Sequence, residues 1–503
     1  MSLIKKRECG VLAHITSLPS PYGIGSFGKN ARDFVDWLKS CGQNYWQVLP
    51  LSPTGYGNSP YQSFSTFAGN PLLIDLEDLV KRGLLSADSC KESDYEDSGT
   101  VDFERVYKAK LPLLEEAFDN FEESEGDVQY LSFLMEEADW LDDYALFMAI
   151  KEDNGNRSWL EWSERELRLR APRAVDTARE KYFRRIEFWK FVQFTFFRQW
   201  VDLKVYANAN GIKIIGDIPI YVAGDSSDVW ASPNLFLLDG DGAPLKVAGV
   251  PPDYFSPTGQ LWGNPLYDWE AMKKEKYSWW IERIAKAAKM YDTVRIDHFR
   301  AFDTYYAIPA KDKTAENGEW LNGPGMDLFR EAEKVLGVLP IIAEDLGEIF
   351  DSVRKLLADS GFPGMKVLQF AFNSENSFSP DLPFNYPENS VAYTGTHDNS
   401  TVKGWYKEAG AKTRRNMKNY IKPLLFEGVV WAMIRTLYAS SSGLVIIPLQ
   451  DLLELPDSAR MNIPSTLGNN WQWRLQSLGG SPAKRAAKKL RELGKTYFRG
   501  SYN

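Results

Sequence analysis

The chain has few of the residues that most often build metal and redox centres. It carries 3 His and 3 Cys in 503 residues. So few histidines exclude a His-rich metal site, and no metal or other cofactor is expected. Cys9, Cys41 and Cys90 cannot all pair within one chain and lack metal-ligand spacing. They read as reduced thiols of a cytosolic protein. Positive charge is not in excess either: Lys plus Arg number 59 against 68 Asp plus Glu, for a net charge of −9. Sequence-independent nucleic-acid binding needs a basic face, and docking on anionic membranes needs basic clusters, so neither partner is expected. Long hydrophobic runs are missing as well. No stretch approaches the ~18 apolar residues of a membrane span. Lys5-Lys6-Arg7 imitates the start of a signal peptide, but the run after it is short, contains His14 and ends in Ser17-Leu18-Pro19-Ser20-Pro21. A cytoplasmic location is the expectation.

What is present is an ordinary globular composition, 44% hydrophobic and 25% charged, with aromatics at 14%. Eight short runs rich in β-branched residues recur along the chain. They are Gly10–His14, Tyr45–Leu51, Lys213–Val222, Thr293–His298, Pro340–Leu346, Met365–Phe372, Val391–His397 and Leu444–Asp451. Near-continuous apolarity over strand length is the signature of parallel strands buried on both faces. Helical patterns lie between most of them: Ala31–Cys41, Arg185–Ala209, Trp269–Tyr291, Met326–Leu336, Ile349–Ser360, Val402–Ala439 and, after the last, Pro482–Phe498. In Arg185–Ala209 the residues Ile186, Trp189, Val192, Phe196 and Trp200 fall on one stripe. The alternation predicts an α/β fold, a (β/α)8 TIM barrel. Asn373–Ser390, polar and rich in proline, should lack a helix. Two connections are too long for one helix. Residues 53–184 predict a mainly helical inserted subdomain. Residues 223–267, rich in Gly, Pro and Asp, predict a loop insertion over the barrel mouth. The domain reading is thus one barrel spanning 1–503 with these two interruptions.

Two motifs resolve into turns. Gly23-Ile24-Gly25-Ser26-Phe27-Gly28 fits the dinucleotide fingerprint, but the next strand ends Leu49-Pro50-Leu51-Ser52 without the ribose-binding acid, so a tight turn is expected. Asp239-Gly240-Asp241-Gly242 hints at calcium, but Val250 stands where the twelfth-position glutamate of such a loop would be, and a β-turn fits better.

The acids are more informative. Asp217, Asp297, Glu344 and Asp398 each stand at or near the C-terminal end of an apolar run, and barrel active sites form at that end. One such acid could cap a helix or pair with arginine. Four on four strands, beside Arg295, His298, Arg300 and His397, are harder to explain as caps, because clustering buried carboxylates is costly. The chemistry that suits paired carboxylates without Cys or His clusters is glycosyl transfer. One carboxylate attacks the anomeric carbon, and a second, kept protonated by burial and like charge, serves the leaving oxygen. Aromatic side chains can pack on the C–H faces of sugars, although most of them must be core.

Several ordered motifs carry a resemblance. They are Ala13-His14-Ile15-Thr16-Ser17-Leu18-Pro19, Ser59-Pro60-Tyr61-Gln62-Ser63 and Gly216-Asp217-Ile218-Pro219. Then come Gly249-Val250-Pro251-Pro252-Asp253-Tyr254-Phe255 running on to Gly259-Gln260-Leu261-Trp262-Gly263, and Arg295-Ile296-Asp297-His298-Phe299-Arg300. Ala343-Glu344-Asp345-Leu346-Gly347, Thr396-His397-Asp398-Asn399 and Asn470-Trp471-Gln472-Trp473-Arg474 complete them. From about Gly10 to about Arg474 the sequence resembles the 4-α-glucanotransferases (amylomaltases, or disproportionating enzymes), glycoside hydrolase family 77 of the α-amylase clan. Ser26-Phe27 departs from the Asp-Leu common there, in a turn without chemistry. The resemblance implies Asp297 as nucleophile, Glu344 as general acid/base and Asp398 as transition-state stabiliser. It implies that Arg295 orients Asp297 and keeps it ionised. His14, Asp217 and His397 would bind the donor glucose, Tyr61 would stack on it, Gln260 and Trp262 would shape the acceptor side, and Asn470 would join the substrate contacts. The implied partners are maltooligosaccharides and α-1,4-glucans, and the implied location is the cytoplasm, or the plastid stroma where a transit peptide has been removed. A hydrolase of the same clan shares the first half-reaction. A non-catalytic glucan-binding barrel is the third reading, disfavoured by the presence of all three catalytic-type carboxylates. The sequence leaves the oligomeric state open.

Overall fold

A computed structural model describes residues 6–91, 99–122, 127–252, 256–347, 349–373 and 377–501. The strands are β1 (Glu8–Leu12), β2 (Tyr45–Gln47), β3 (Lys213–Pro219), β4 (Lys246–Val250), β5 (Gln260–Pro265) and β6 (Thr293–Asp297). They continue with β7 (Thr304–Pro309), β8 (Glu319–Asn322), β9 (Ile341–Ala343), β10 (Gly364–Val367), β11 (Ser390–Tyr393) and β12 (Leu444–Pro448). Eight of them close a barrel in the order β1-β12-β11-β10-β9-β6-β3-β2. All of its pairings are parallel. Each barrel strand falls within one of the eight apolar runs or overlaps it, and the fold is the (β/α)8 barrel that the alternation predicts.

Alternate residues of a strand face opposite ways, and here the alternation separates two cores. Leu12, Ile215, Ile342, Met365, Val391, Tyr393, Leu444 and Ile446 pack together inside the barrel. Their neighbours Val11, Ile214, Ile341, Ala392, Val445 and Ile447 pack against the surrounding helices. At the opposite end of the barrel Arg499, fully buried, ties down the segment that leads into β12. Its guanidinium donates to the carbonyls of Tyr438 at 2.8 Å, Ser440 at 2.9 Å and Ser442 at 2.6 Å.

Between β2 and β3 the chain makes the helical insertion, with helices Phe103–Glu122, Val128–Glu136, Ala138–Asp153 and Pro172–Lys181 leading into Phe183–Ala209. This last helix buries Ile186, Trp189, Val192, Phe196 and Trp200 along its stripe. Buried Lys151 ties the insertion to the barrel rim by donating to Asp225 at 2.5 Å. The insertion after β3 holds more order than a loop. β4 and β5 pair antiparallel, and β4 also pairs with β7, which pairs with β8. The result is a small second sheet, β5-β4-β7-β8, beside the barrel mouth.

Two long helical patterns are broken. Trp269–Tyr291 splits into Trp269–Lys274 and Ser278–Met290 around the left-handed Lys276 and Tyr277. Val402–Ala439 splits into Val402–Glu408, Ala411–Ile421 and Val429–Ala439. In the described part of Asn373–Ser390 there is one short 3-10 turn, Pro383–Asn385, and no α-helix. Both turn readings hold. A Cβ on Gly25 would lie 1.8 Å from the Ile15 carbonyl oxygen, so the backbone approach itself demands glycine. Asp239 Oδ1 accepts from the amides of Asp241 and Ala243, both at 2.9 Å, which closes a side-chain-stabilised turn. Among the described residues no helix is long and apolar enough to cross a membrane, and no group of three His, Cys, Asp or Glu stands where it could hold a metal ion.

Candidate active site

The inward period of two that packs the barrel also delivers its chemistry. On β1, β3 and β9 the last apolar inward residues are Leu12, Ile215 and Ile342, and the next inward positions are His14, Asp217 and Glu344. On β6 the inward positions are Arg295 and Asp297. The functional groups therefore form the top layer of the barrel interior, at the C-terminal ends of its strands.

Arg295 organises this layer. Its side chain is 4% exposed and lies between two carboxylates. Nη1 donates to Asp217 Oδ2 at 2.6 Å, and Nη2 donates to Asp297 Oδ1 at 2.8 Å. Asp217 also accepts from the Tyr61 hydroxyl at 2.8 Å. Burial outweighs the guanidinium at Asp217 and pushes its carboxyl up to about 6.

Glu344 is buried, and its two oxygens accept backbone amides, His298 N–H at 2.7 Å on Oε2 and Leu346 N–H at 2.8 Å on Oε1. Burial first, and the Asp297 charge second, push its carboxyl up to about 8, against the opposing pull of Arg295 and the two amides. It therefore holds its proton at neutral pH. Asp398 has the opposite character. Burial would raise it, but His397, Asn462 and Arg295 prevail and bring it down to about 2. His397 Nε2 lies 3.3 Å from Oδ2, and Asn462 Nδ2 donates to Oδ1 at 2.7 Å. His397 is correspondingly raised despite its burial. His14, buried near His397, is brought down to about 3, chiefly by desolvation, and is neutral. The surroundings thus push two carboxyl groups of the site apart, Glu344 up and Asp398 down.

Above the layer opens a cleft of about 820 Å³, lined among others by Tyr61, Trp262, Asp297, Asp398 and Trp471. Tyr61 stacks on His397 with ring centroids 5.1 Å apart and an interplanar angle of 14°, and Trp471 lies 5.8 Å from both rings. A further part of the wall comes from β5. There Trp262 donates to Gln260 at 3.2 Å and meets the His298 ring edge-on at 4.9 Å. Asp253–Phe255, part of the motif leading to this strand, lies outside the described residues.

Of the sequence-predicted residues, His14 lines a small separate cavity beside His397, Asp217, Arg295 and Glu344 lie in the buried layer, and Tyr61, Gln260, Trp262, Asp297, His397, Asp398 and Asn470 line the cleft. The Asn470 amide is engaged within its own loop: Oδ1 accepts from Ile463 N–H at 3.0 Å and Nδ2 donates to the Thr466 carbonyl at 3.1 Å. Two residues without an expected role stand out. Asn462 hydrogen-bonds Asp398, and Trp471, left-handed at φ 66°, forms a cleft wall. Trp471 was visible as part of a motif. Nothing local distinguished Asn462, because its partner is brought to it by the fold.

A family model described as 4-alpha-glucanotransferase, glycoside hydrolase family 77, matches residues 13–479. The chain is 52% identical over 483 residues to a 4-alpha-glucanotransferase of Streptococcus pneumoniae, covering 95% of each chain. It is 48% identical over 479 residues to that of Thermus thermophilus, covering 93% of this chain and 95% of the other. Among solved structures it is similar to the Streptococcus agalactiae amylomaltase in complex with acarbose, with a TM-score of 0.95, 44% identity, and coverage of 99% of this chain and 100% of that one. The barrel, the cluster at its mouth and these likenesses agree: the chain belongs to glycoside hydrolase family 77, the 4-α-glucanotransferases.

Proposed function

We propose that the protein is a retaining 4-α-glucanotransferase that moves a segment of an α-1,4-glucan to the 4-hydroxyl of glucose or of another glucan. Asp297 Oδ2, the oxygen not bonded by Arg295, attacks the anomeric carbon. Glu344 donates its proton to the departing glycosidic oxygen. The glycosyl group is then held on Asp297 as an ester. In the second half, ionised Glu344 takes the proton of the acceptor's 4-hydroxyl, whose oxygen attacks the same carbon and releases Asp297. Two inversions give net retention.

Asp398 holds hydroxyls of the distorted donor ring and stabilises the positive charge that develops on it. His14, Asp217 and His397 bind the donor glucose, and Tyr61 packs against it. Gln260 and Trp262 form the acceptor wall, which favours a sugar over water. Asn470 acts through its loop, which it holds at the cleft edge. The observation that carries this reading is a buried Glu344, its carboxyl raised by burial, together with an Arg295-bound Asp297 at the cleft, in a chain of this family. The buried, unpaired Cys9, Cys41 and Cys90 support a cytoplasmic location.

Maltotriose tests the reaction. A transferase makes glucose and longer chains while total reducing ends stay constant. A rise in reducing ends in step with consumption would establish hydrolysis instead.

A further inference from the structure

We propose that His298 is a positioning residue for the general acid: its left-handed backbone aims its amide at one oxygen of Glu344, and its ring, packed edge-on against Trp262, locks that backbone in place. The inference rests on Glu344 being the acid of the reaction above. His298 follows the proposed nucleophile directly and has φ 56° and ψ 44°, a conformation that side chains other than glycine adopt against steric resistance. A residue held so needs surroundings that determine it, and such residues cluster at functional sites. Four contacts meet that need. The His298 amide donates to Glu344 Oε2 at 2.7 Å. On either side of it the ends of β6 and β9 are laced together, since Glu344 N–H donates to the Ile296 carbonyl and Phe299 N–H to the Glu344 carbonyl, both at 3.1 Å. The ring centroid lies 4.9 Å from that of Trp262 at an interplanar angle of 84°.

The consequence is a mechanical link between two parts of the cleft. Trp262 belongs to β5, the proposed acceptor wall, and Glu344 belongs to the barrel. His298 touches both, so a sugar that settles against Trp262 also steadies the amide that aligns the acid. The ring itself is neutral at working pH, because burial brings it down to about 4, and it serves here as a packing group. The charged groups that face Glu344 are Asp297, which favours its protonated form, and Arg295, which opposes it. Those that face His298 are Asp297 and Arg300. The amide bond favours the ionised carboxylate. Its loss therefore raises the proton affinity of Glu344 and moves the alkaline limb of activity upward while the alignment worsens.

The test compares His298→Gly and His298→Asn, which tolerate left-handed backbone, with His298→Val, which resists it. His298→Ala against His298→Gly is a milder second pair should the valine variant fold poorly. Disproportionation of maltotriose is followed by glucose release across pH. All variants lose the ring. The positioning role predicts that valine falls at least about tenfold below glycine in kcat, with its alkaline limb moved up by about half a pH unit, and that asparagine behaves like glycine. Identical kcat and limb for His298→Val and His298→Gly, and likewise for the alanine–glycine pair, would overturn the proposal. The assignment of the acid is checked separately: a Glu344→Gln enzyme with parental turnover would remove the premise, whereas an inactive one beside coincident His298 variants would remove only the positioning role.

Discussion

Replacing Arg295 by methionine should both unfold the active layer and silence it, and the two effects should depend on pH in a particular way. The guanidinium is the cation that Asp217 and Asp297 share, at 2.6 Å and 2.8 Å, in a side chain 4% exposed. At an effective dielectric constant near 20, one such pair is worth about 4 kcal/mol of direct attraction. Desolvation of the guanidinium offsets part of the two pairs, and removing one member of a buried ionic cluster ordinarily costs about 3–5 kcal/mol. Asp217 is pushed up to about 6 by burial even with Arg295 in place, above its unfolded value. A group raised in this way favours the fold below its unfolded pKa and loses that contribution as pH climbs through the folded pKa. Without Arg295 it rises further. The variant should therefore lose about 3–5 kcal/mol at about pH 7.5 and distinctly less at about pH 5, where the stranded Asp217 carries a proton. Urea unfolding followed by tryptophan fluorescence at both pH values measures this. Maltotriose turnover at neutral pH should fall by at least about a thousandfold, since Asp297 loses the donor that orients it. Arg295→Lys, which keeps charge but not the two-pronged geometry, should fall between. A destabilisation of equal size at both pH values, or a turnover loss below about tenfold, would refute the reasoning.

Other consequences are simpler to measure. The kcat/KM of the parent should decline as pH rises through about 8, because Glu344 must begin each cycle protonated. A profile flat to about pH 10 would contradict that role. Asn462→Ala removes the 2.7 Å bond to Asp398 Oδ1 and should lower kcat/KM by about tenfold to a hundredfold, the equivalent of a hydrogen bond to a charged group, with folding unaffected by circular dichroism. Arg499→Ala strips the buried donor from the carbonyls of Tyr438, Ser440 and Ser442 at the opposite barrel end. It should lower the thermal midpoint while leaving KM for maltotriose unchanged in the folded fraction, as initial rates at low temperature would show.

The parts of the fold that were legible in the sequence are those whose burial is complete. Barrel strands such as Leu444–Pro448 are covered on both faces, so every residue is apolar and the run announces itself. The second sheet is different. Glu319–Asn322 is four residues long and exposed at both ends, and Gln260–Pro265 alternates exposure over its first four residues before its last two are buried. They are the two edges of a sheet whose centre, β4 paired with β7, is joined across the intervening helices and β6, a long-range choice that no local pattern encodes. The helix breaks divide in the same way. Val402–Ala439 reads as one helical pattern, although Gly410, Pro423 and Gly428 stand at the points where the chain breaks it. The break at Lys276 and Tyr277 uses two left-handed residues that are neither Gly nor Pro, and the chain carries no local sign of it.

The site divides along the same line, and for a mechanical reason. A residue on a barrel strand inherits its direction from the strand, so an acid two positions beyond an inward isoleucine must also face inward. Asp217 after Ile215 and Glu344 after Ile342 follow that rule, and counting by two suffices to place them. A residue on an irregular loop inherits nothing. Asn462 and Asn470 are eight positions apart on the same excursion, and both are amides near the cleft. One donates to the carboxylate of Asp398, while the other spends both ends of its amide on Ile463 and Thr466. Their chemistry is identical, and the backbone path alone decides which one reaches Asp398. A single sequence can therefore locate the carboxylates of such an enzyme residue by residue, but it assigns the groups that hold them only as far as regular structure extends.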